Sequence, residues 1–222
     1  MSENKKFIVN IGGPTGVGKT NLSINLAQKY NIPILSTDSR QVFKEMTIGT
    51  AKPSQDELNQ VKHYFIDSHS IQDPMNAGIY ESLAIDLLNN LFRSYTLVIA
   101  CGGTGFYHEV ICEGLDEFPD IPKSIKRELL EEYESKGLKP LLLELKAEDP
   151  ESHANIDLEN PRRVLRALEV IRSSNKAFSS FKNAPKKARS FECIKLYLTE
   201  DRQILYDRIN ERVDQMLADG LE

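Results

Sequence analysis

Apolar positions along the chain alternate between two periods. The run Phe7-Ile8-Val9-Asn10-Ile11 is short and almost wholly apolar, as expected of a strand buried on both faces. A helical pattern follows through Leu22, Ile24, Leu26 and Ala27, and Tyr30-Asn31 closes it. A second strand is predicted over Ile32-Pro33-Ile34-Leu35-Ser36-Thr37, with Pro33 near its start, where a missing donor is tolerated. Ser54 and Glu57 have capping-box spacing for a short helix through Lys62, and His63-Tyr64-Phe65-Ile66-Asp67 reads as a third strand. Ile79, Leu83, Leu87, Leu88 and Leu91 give a strong helical period between Ala77 and Arg93, ahead of the strand Thr96-Leu97-Val98-Ile99-Ala100. Strands alternating with helices predict a parallel sheet covered on both faces.

From Pro119 the alternation stops. Helices are predicted over roughly 123–136, 138–155 and 160–173, the last opened by Asn160-Pro161. Phe191 to Leu198 then reads as a strand returning to the sheet, and Thr199-Glu200-Asp201-Arg202 opens a final helix whose apolar face includes Ile204, Leu205, Ile209, Val213, Met216 and Leu217. The expected organisation is an α/β core over 1–118, a helical insertion over 119–189, and a return to the core over 190–222.

Between the first strand and the first helix stands Gly13-Pro14-Thr15-Gly16-Val17-Gly18-Lys19-Thr20, the G-x-x-x-x-G-K-[ST] spacing in its required strand–loop–helix context. Glycines let the backbone turn several N–H groups inward, and the following helix presents its positive end to the same spot, which makes an anion site. Lys19 adds a mobile positive charge for phosphoryl oxygens, and Thr20 offers a hydroxyl to Mg2+. A glycine-rich turn without a ligand is the plainer explanation, but it does not require the flanking strand and helix.

The 222 residues, 40% apolar and 27% charged, suffice for one globular α/β core. The polar start and the shortness of the apolar run behind it predict a cytoplasmic chain with no membrane partner. Cys101, Cys112 and Cys193 are widely spaced and odd in number, so neither a disulfide framework nor a zinc site is expected. The net charge of −5 argues weakly against nucleic acid, yet its distribution matters more. From Arg162 to Arg189 the chain carries nine cations (Arg162, Arg163, Arg166, Arg172, Lys176, Lys182, Lys186, Lys187 and Arg189) against one acid, Glu169. Such a run suits a polyanion-binding face, or else a merely solvated basic helix.

The carboxyl end of the second strand delivers Asp38-Ser39-Arg40-Gln41, and strand ends of an open parallel sheet converge on one crevice. Asp38 is therefore expected near the phosphate loop, either as a chemical group or as a cap for the residues after it. The fourth strand ends in Cys101-Gly102-Gly103-Thr104-Gly105-Phe106-Tyr107, without the acid usual in nucleotide hydrolases. Its glycines suggest close approach by a ligand, with the Thr104 hydroxyl at hand, or a plain strand-to-helix turn.

Taken together, these blocks resemble the tRNA dimethylallyltransferases. The matching stretches are the loop 13–20, Asp38-Ser39-Arg40-Gln41, Ile48-Gly49-Thr50-Ala51-Lys52-Pro53, Gly102-Gly103-Thr104-Gly105-Phe106-Tyr107, Arg162-Arg163-Val164-Leu165-Arg166-Ala167-Leu168-Glu169-Val170, and Asp201-Arg202 through Arg212-Val213-Asp214-Gln215-Met216-Leu217. The resemblance implies a P-loop NTPase-like fold whose loop holds the diphosphate of dimethylallyl diphosphate rather than ATP. It implies Asp38 as general base on the exocyclic amine of a flipped-out adenosine beside the anticodon, Thr104 near that amine, Arg202 clamping the diphosphate with Lys19, and Thr20 on Mg2+. It places tRNA contacts on Asp38, Ser39, Arg40, Gln41 and Thr104, near Lys126, and on Arg162, Arg163, Val164, Leu165 and Arg166.

Some positions depart from the family pattern. Gly16 replaces a frequent Ala, His63-Tyr64 a more common His-His pair, and Lys126 an expected Arg. Members usually continue past Gly220-Leu221-Glu222, which implies a truncated chain. A monomer is expected. The other readings weighed are a P-loop small-molecule kinase, a prenyltransferase acting on free adenine nucleotides, and a nucleic-acid-binding module with a vestigial phosphate loop.

Overall fold

A computed structural model of the chain describes residues 5–182 and 187–221. Two compact units are present, one made of residues 1–115 with 187–222 and one of 116–186.

The first unit is built on five parallel strands, β1 (Phe7–Gly12), β2 (Ile34–Ser36), β3 (His63–Tyr64), β4 (Leu97–Cys101) and β5 (Glu192–Tyr197), in the order β3-β2-β4-β1-β5. Its helices are α1 (Lys19–Tyr30), α2 (Gln55–Gln60), α3 (Ala77–Leu91), α4 (Gly105–Glu113) and a last long helix from Arg202 to Ala218. Period-two alternation divides each strand between two apolar layers. Ile8, Leu35, Val98 and Ala100 pack with Tyr80, Leu88, Tyr107 and Val110 of α3 and α4, whereas Ile11, Ile34 and Ile99 pack with Ile24 and Ala27 of α1. Each fully buried Leu or Ile contributes roughly 1.5–3 kcal/mol relative to exposure, so these two layers hold the strand ends in place.

Strand β3 is shorter than predicted. Phe65 and Asp67 take φ of 61° and 49°, left-handed values that break an extended run. The predicted capping box at Ser54 and Glu57 is formed at the start of α2. The cysteines correct the sequence-based expectation: Cys112 on α4 is disulfide-bonded to Cys193 on β5, 81 residues away, with Cα atoms 5.9 Å apart. Strand alternation puts Cys193 on the face that α4 covers, an adjacency that spacing along the chain cannot reveal.

The second unit contains α5 (Lys123–Lys136), α6 (Leu138–Glu148), α7 (Pro150–Asn155), α8 (Pro161–Ser174) and α9 (Ser179–Lys182), which makes the final helix of the first unit α10. The single helix expected over 138–155 is two, because Asp149 caps a new start, with its carboxylate accepting from Ser152 N at 3.0 Å and Pro150 at the first position. Burial works to raise the Asp149 pKa, but hydrogen bonds from Ser152 and Ser179 outweigh it and hold the carboxyl below its ordinary value. Leu129, Leu141, Leu145, Val164, Ala167, Leu168 and Ile171 form this unit's own core. Among the described residues no helix is long and apolar enough to cross a membrane.

Candidate active site

The phosphate loop begins where β1 runs out. Gly13, with φ of 145°, passes so close to Leu198 that a Cβ there would lie 2.7 Å from its carbonyl oxygen. Gly18, with φ of 94°, occupies the cap position of α1 and makes no side-chain capping bond, leaving the helix's first N–H groups facing outward. Lys19 folds back over the loop, its Nζ donating to the carbonyl oxygens of Gly13 and Pro14 at 2.9 and 2.8 Å. Burial lowers the Lys19 pKa. Those two carbonyl contacts are what an incoming anion would replace.

Pro14 and Val17 shape this loop, while Thr15, Gly16, Gly18, Lys19 and Thr20 line a cavity of roughly 330 Å³. Asp38, at the end of β2, lines the same cavity. Asp38 caps the turn after it: Oδ1 accepts from Arg40 N at 2.9 Å and Gln41 N at 3.2 Å, while Oδ2 faces Gly103, where an added Cβ would lie 3.2 Å away. The turn fixes one oxygen and leaves the other turned toward the cavity wall. Gln41 closes a further wall, its Nε2 donating to the carbonyls of Thr50 at 3.1 Å and Ala51 at 2.9 Å.

Thr104 stands behind this wall. Its Oγ1 accepts from Ser39 N at 3.0 Å and donates to Ser39 Oγ at 3.1 Å, and its N–H reaches Thr37 O at 3.1 Å, so the side chain staples the β4 loop to the β2 loop. The glycine at 102 lines the cavity and also makes room for a neighbouring strand end. A Cβ there would lie 2.3 Å from the Thr37 carbonyl carbon, so the chain just after β2 packs directly against it.

Arg202 is placed elsewhere than expected. It is exposed at the start of α10, its Nε donating to Tyr206 Oη at 2.8 Å with the guanidinium over that ring, and it does not line the cavity. Instead α10 lies along the phosphate loop: Arg208 donates to Gly16 O at 3.2 Å, and Arg212, three turns into the helix, reaches the cavity. Burial lowers the Arg212 pKa while the Asp38 charge works to raise it. No local spacing in the sequence singles out Arg212.

In the helical unit Arg162, Arg163 and Arg166 are exposed on α8, as is Lys126 on α5, whereas Val164 is fully buried and Leu165 half-buried. Val164 is therefore core, because its position on the amphipathic α8 faces Leu129, Leu141 and Leu145. Arg166 pairs with Glu169 at 3.2 Å and lies over the Phe118 ring. The basic run is partitioned by folding. Arg172 is bonded to Glu132 and Glu144, and Arg189 and Lys187, both in the first unit, pair with Glu81. Hydrogen bonds from Glu144, then Glu132, raise the Arg172 pKa against its burial. Lys186 lies outside the described residues.

A glycine-rich loop between β1 and α1, at the carboxyl edge of a parallel sheet and beside an acid that follows the next strand, is the arrangement of a P-loop NTPase-like α/β fold. The family model for IPP transferase matches residues 41–222. A tRNA dimethylallyltransferase of Cytophaga hutchinsonii is 47% identical over 222 residues, spanning all of this chain and 73% of that protein. One of Flavobacterium johnsoniae is 46% identical, spanning 97% of this chain and 72% of its own. Among solved structures, the full-length tRNA isopentenylpyrophosphate transferase of Bacillus halodurans has a TM-score of 0.63 at 34% identity, over 99% of this chain and 68% of that one. A eukaryotic dimethylallyltransferase acting on tRNA has a TM-score of 0.78 at 28% identity, over 97% of this chain and 54% of that one. The chain belongs to the IPP transferase family.

Proposed function

We propose that this protein transfers a dimethylallyl group from dimethylallyl diphosphate to N6 of the adenosine 3′ to the anticodon, in tRNAs that read codons beginning with U. One observation carries the chemical part: the phosphate loop and the Asp38 carboxylate line one cavity. Family membership supplies the substrate class. A small-molecule kinase is not favoured, since β4 ends in Cys101-Gly102-Gly103 without the metal-binding acid that phosphoryl transfer from Mg-nucleotide ordinarily uses.

In this reading the loop N–H groups, Lys19 and Arg212 bind the diphosphate. As the allylic C–O bond breaks, diphosphate leaves with the electron pair and cationic character builds on the prenyl carbon, so the positive groups stabilise charge that the transition state creates. N6 forms the new C–N bond and its proton passes to Asp38, which needs only hydrogen-bond reach of the amine. The residues suit Mg2+: Thr20 lines the cavity where diphosphate oxygens would lie, and Mg2+ is commonly held by phosphates, waters and few protein groups. The ion would neutralise the leaving diphosphate. Arg162, Arg163, Arg166 and Lys126 would contact tRNA phosphates, offsetting the few kcal/mol that flipping a base costs.

The direct test incubates the protein with Mg2+, dimethylallyl diphosphate and unmodified tRNA, then digests the RNA and weighs its nucleosides. Adenosine heavier by one isoprene unit is expected. Transfer to AMP in preference to tRNA would overturn the acceptor assignment.

A further inference from the structure

Beneath the cavity floor lies a buried polar chain that the reaction outlined above does not use. Asn10 interrupts the apolar run of β1 and is 4% exposed, on the strand face covered by α4. A buried amide needs partners. Its Nδ2 lies 3.4 Å from His108 O and 3.4 Å from Cys112 Sγ, which directs Oδ1 at His108 Nδ1, with which it is hydrogen-bonded. On its other side the ring's Nε2 is hydrogen-bonded to Thr37 Oγ1 at 2.9 Å and to Gly102 O at 3.1 Å. Burial lowers the His108 pKa, against the hydrogen bond to Gly102 O that works to raise it.

Thr37 is fully buried and immediately precedes Asp38. The residues on either side of Asp38 are thus held from one end of α4: Thr37 Oγ1 by His108 in its first turn, and Thr37 O and Ser39 N by Thr104, the cap residue just before it. With Thr104 alone, the Thr37 side chain would be a buried hydroxyl free to rotate against the glycine at 102. With His108 it is locked, and the ring joins β1, β2 and the end of β4.

We propose that His108 is a positioning residue for Asp38: through Thr37 it fixes the backbone from which the carboxylate meets the acceptor amine. The inference rests on the assignment of Asp38 as the base. His108 does not line the cavity, so its loss should slow the chemical step without weakening either substrate.

Steady-state prenyl transfer to an anticodon stem-loop is measured for His108→Leu, His108→Gln, Thr37→Val and Asp38→Ala. For His108→Leu a fall in kcat of about 10–100-fold is expected, the range for groups that orient a catalytic residue from behind, with both KM values within about twofold. His108→Gln, which keeps a side-chain amide able to hydrogen-bond Thr37, should recover most of that loss. Thr37→Val keeps the shape, removes the hydroxyl and should reproduce the kcat defect, which also decides the matter if His108→Leu does not fold. Unchanged kcat in Thr37→Val, or a Gln variant as slow as Leu, overturns the positioning role. If Asp38→Ala loses transfer while the His108 and Thr37 variants keep it, only this inference falls; if Asp38→Ala transfers undiminished, the base assignment falls with it.

Discussion

In the sheet-bearing unit Lys19, Arg212 and Asp38 converge on one cavity, each drawn there by a different element. In the helical unit Arg172 is tied between Glu132 and Glu144, and Arg162 and Arg163 stand in solvent on the first turn of α8. Both regions carry charge, but it does different work. Within the cavity, burial of Lys19 and Arg212 lowers the pKa of each, so their charge is poorly solvated and an anion gains from meeting it. On α8 the exposed guanidinium groups are already hydrated, and their attraction for a polyanion is additive and salt-dependent. One unit is therefore suited to a single small anion held in fixed geometry, the other to a long anion held loosely at several points.

Substitutions can break this contrast, and the largest effect belongs to the acid. Asp38→Ala should lower single-turnover prenyl transfer by about 10²–10⁴-fold while leaving dimethylallyl diphosphate affinity nearly unchanged. Equal losses in rate and donor affinity would mean that Asp38 shapes the anion site instead. Next is Lys19→Ala, expected to cost about 10²–10³-fold in kcat/KM for the donor, with RNA affinity measured by filter binding unaffected. Arg162→Ala and Arg163→Ala should show the reverse pattern. RNA binding should weaken at every sequence, the slope of log K against log salt should fall by about one per contact removed, and donor binding should not change.

Arg172→Met should leave RNA binding intact and lower the thermal stability of the helical unit modestly, because Glu144 and Glu132 each lose an ion-pair partner while Glu132 keeps Lys136. A drop in RNA affinity larger than the drop in stability would return Arg172 to the binding face. The smallest effect concerns acid. His63 and His108 both have pKa values lowered by burial, so below about pH 6.5 the unfolded chain binds protons that the folded chain does not. Their stabilisation is complete above that pH and is lost as pH falls toward the folded values. Thermal melts from pH 7.5 to 5.5 should show a declining Tm, with a shallower decline in His63→Gln.

Much of this organisation was legible along the chain. The phosphate loop was readable because its chemistry is local: eight consecutive residues specify both backbone and ligand groups. Asp38 was placed by a general property of parallel sheets, whose strand ends share one edge. The division at Asp149-Pro150 was also written in the sequence, as a capping residue followed by a proline, and was hidden only by the continuous apolar period around it. Arg202 and Arg212 differ in kind. Both lie on α10, and which of them reaches the cavity depends on how that helix rests against Gly16 through Leu205, Arg208 and Ile209.

By itself, then, the sequence determined what short-range physics determines: the strand–loop–helix cradle, the alternation that makes a parallel sheet, the helical stretch after Pro119, and a concentration of cations between residues 162 and 189. Tertiary structure decided what depends on partners distant in the chain. It chose Arg212 over Arg202 for the cavity, tied Arg172 and Arg189 to carboxylates, joined Cys112 to Cys193, and ran a polar chain from Asn10 through His108 to the residue before Asp38. A side chain's type fixes the interactions it can make, but which of them it makes depends on the groups that packing brings within a few ångströms of it.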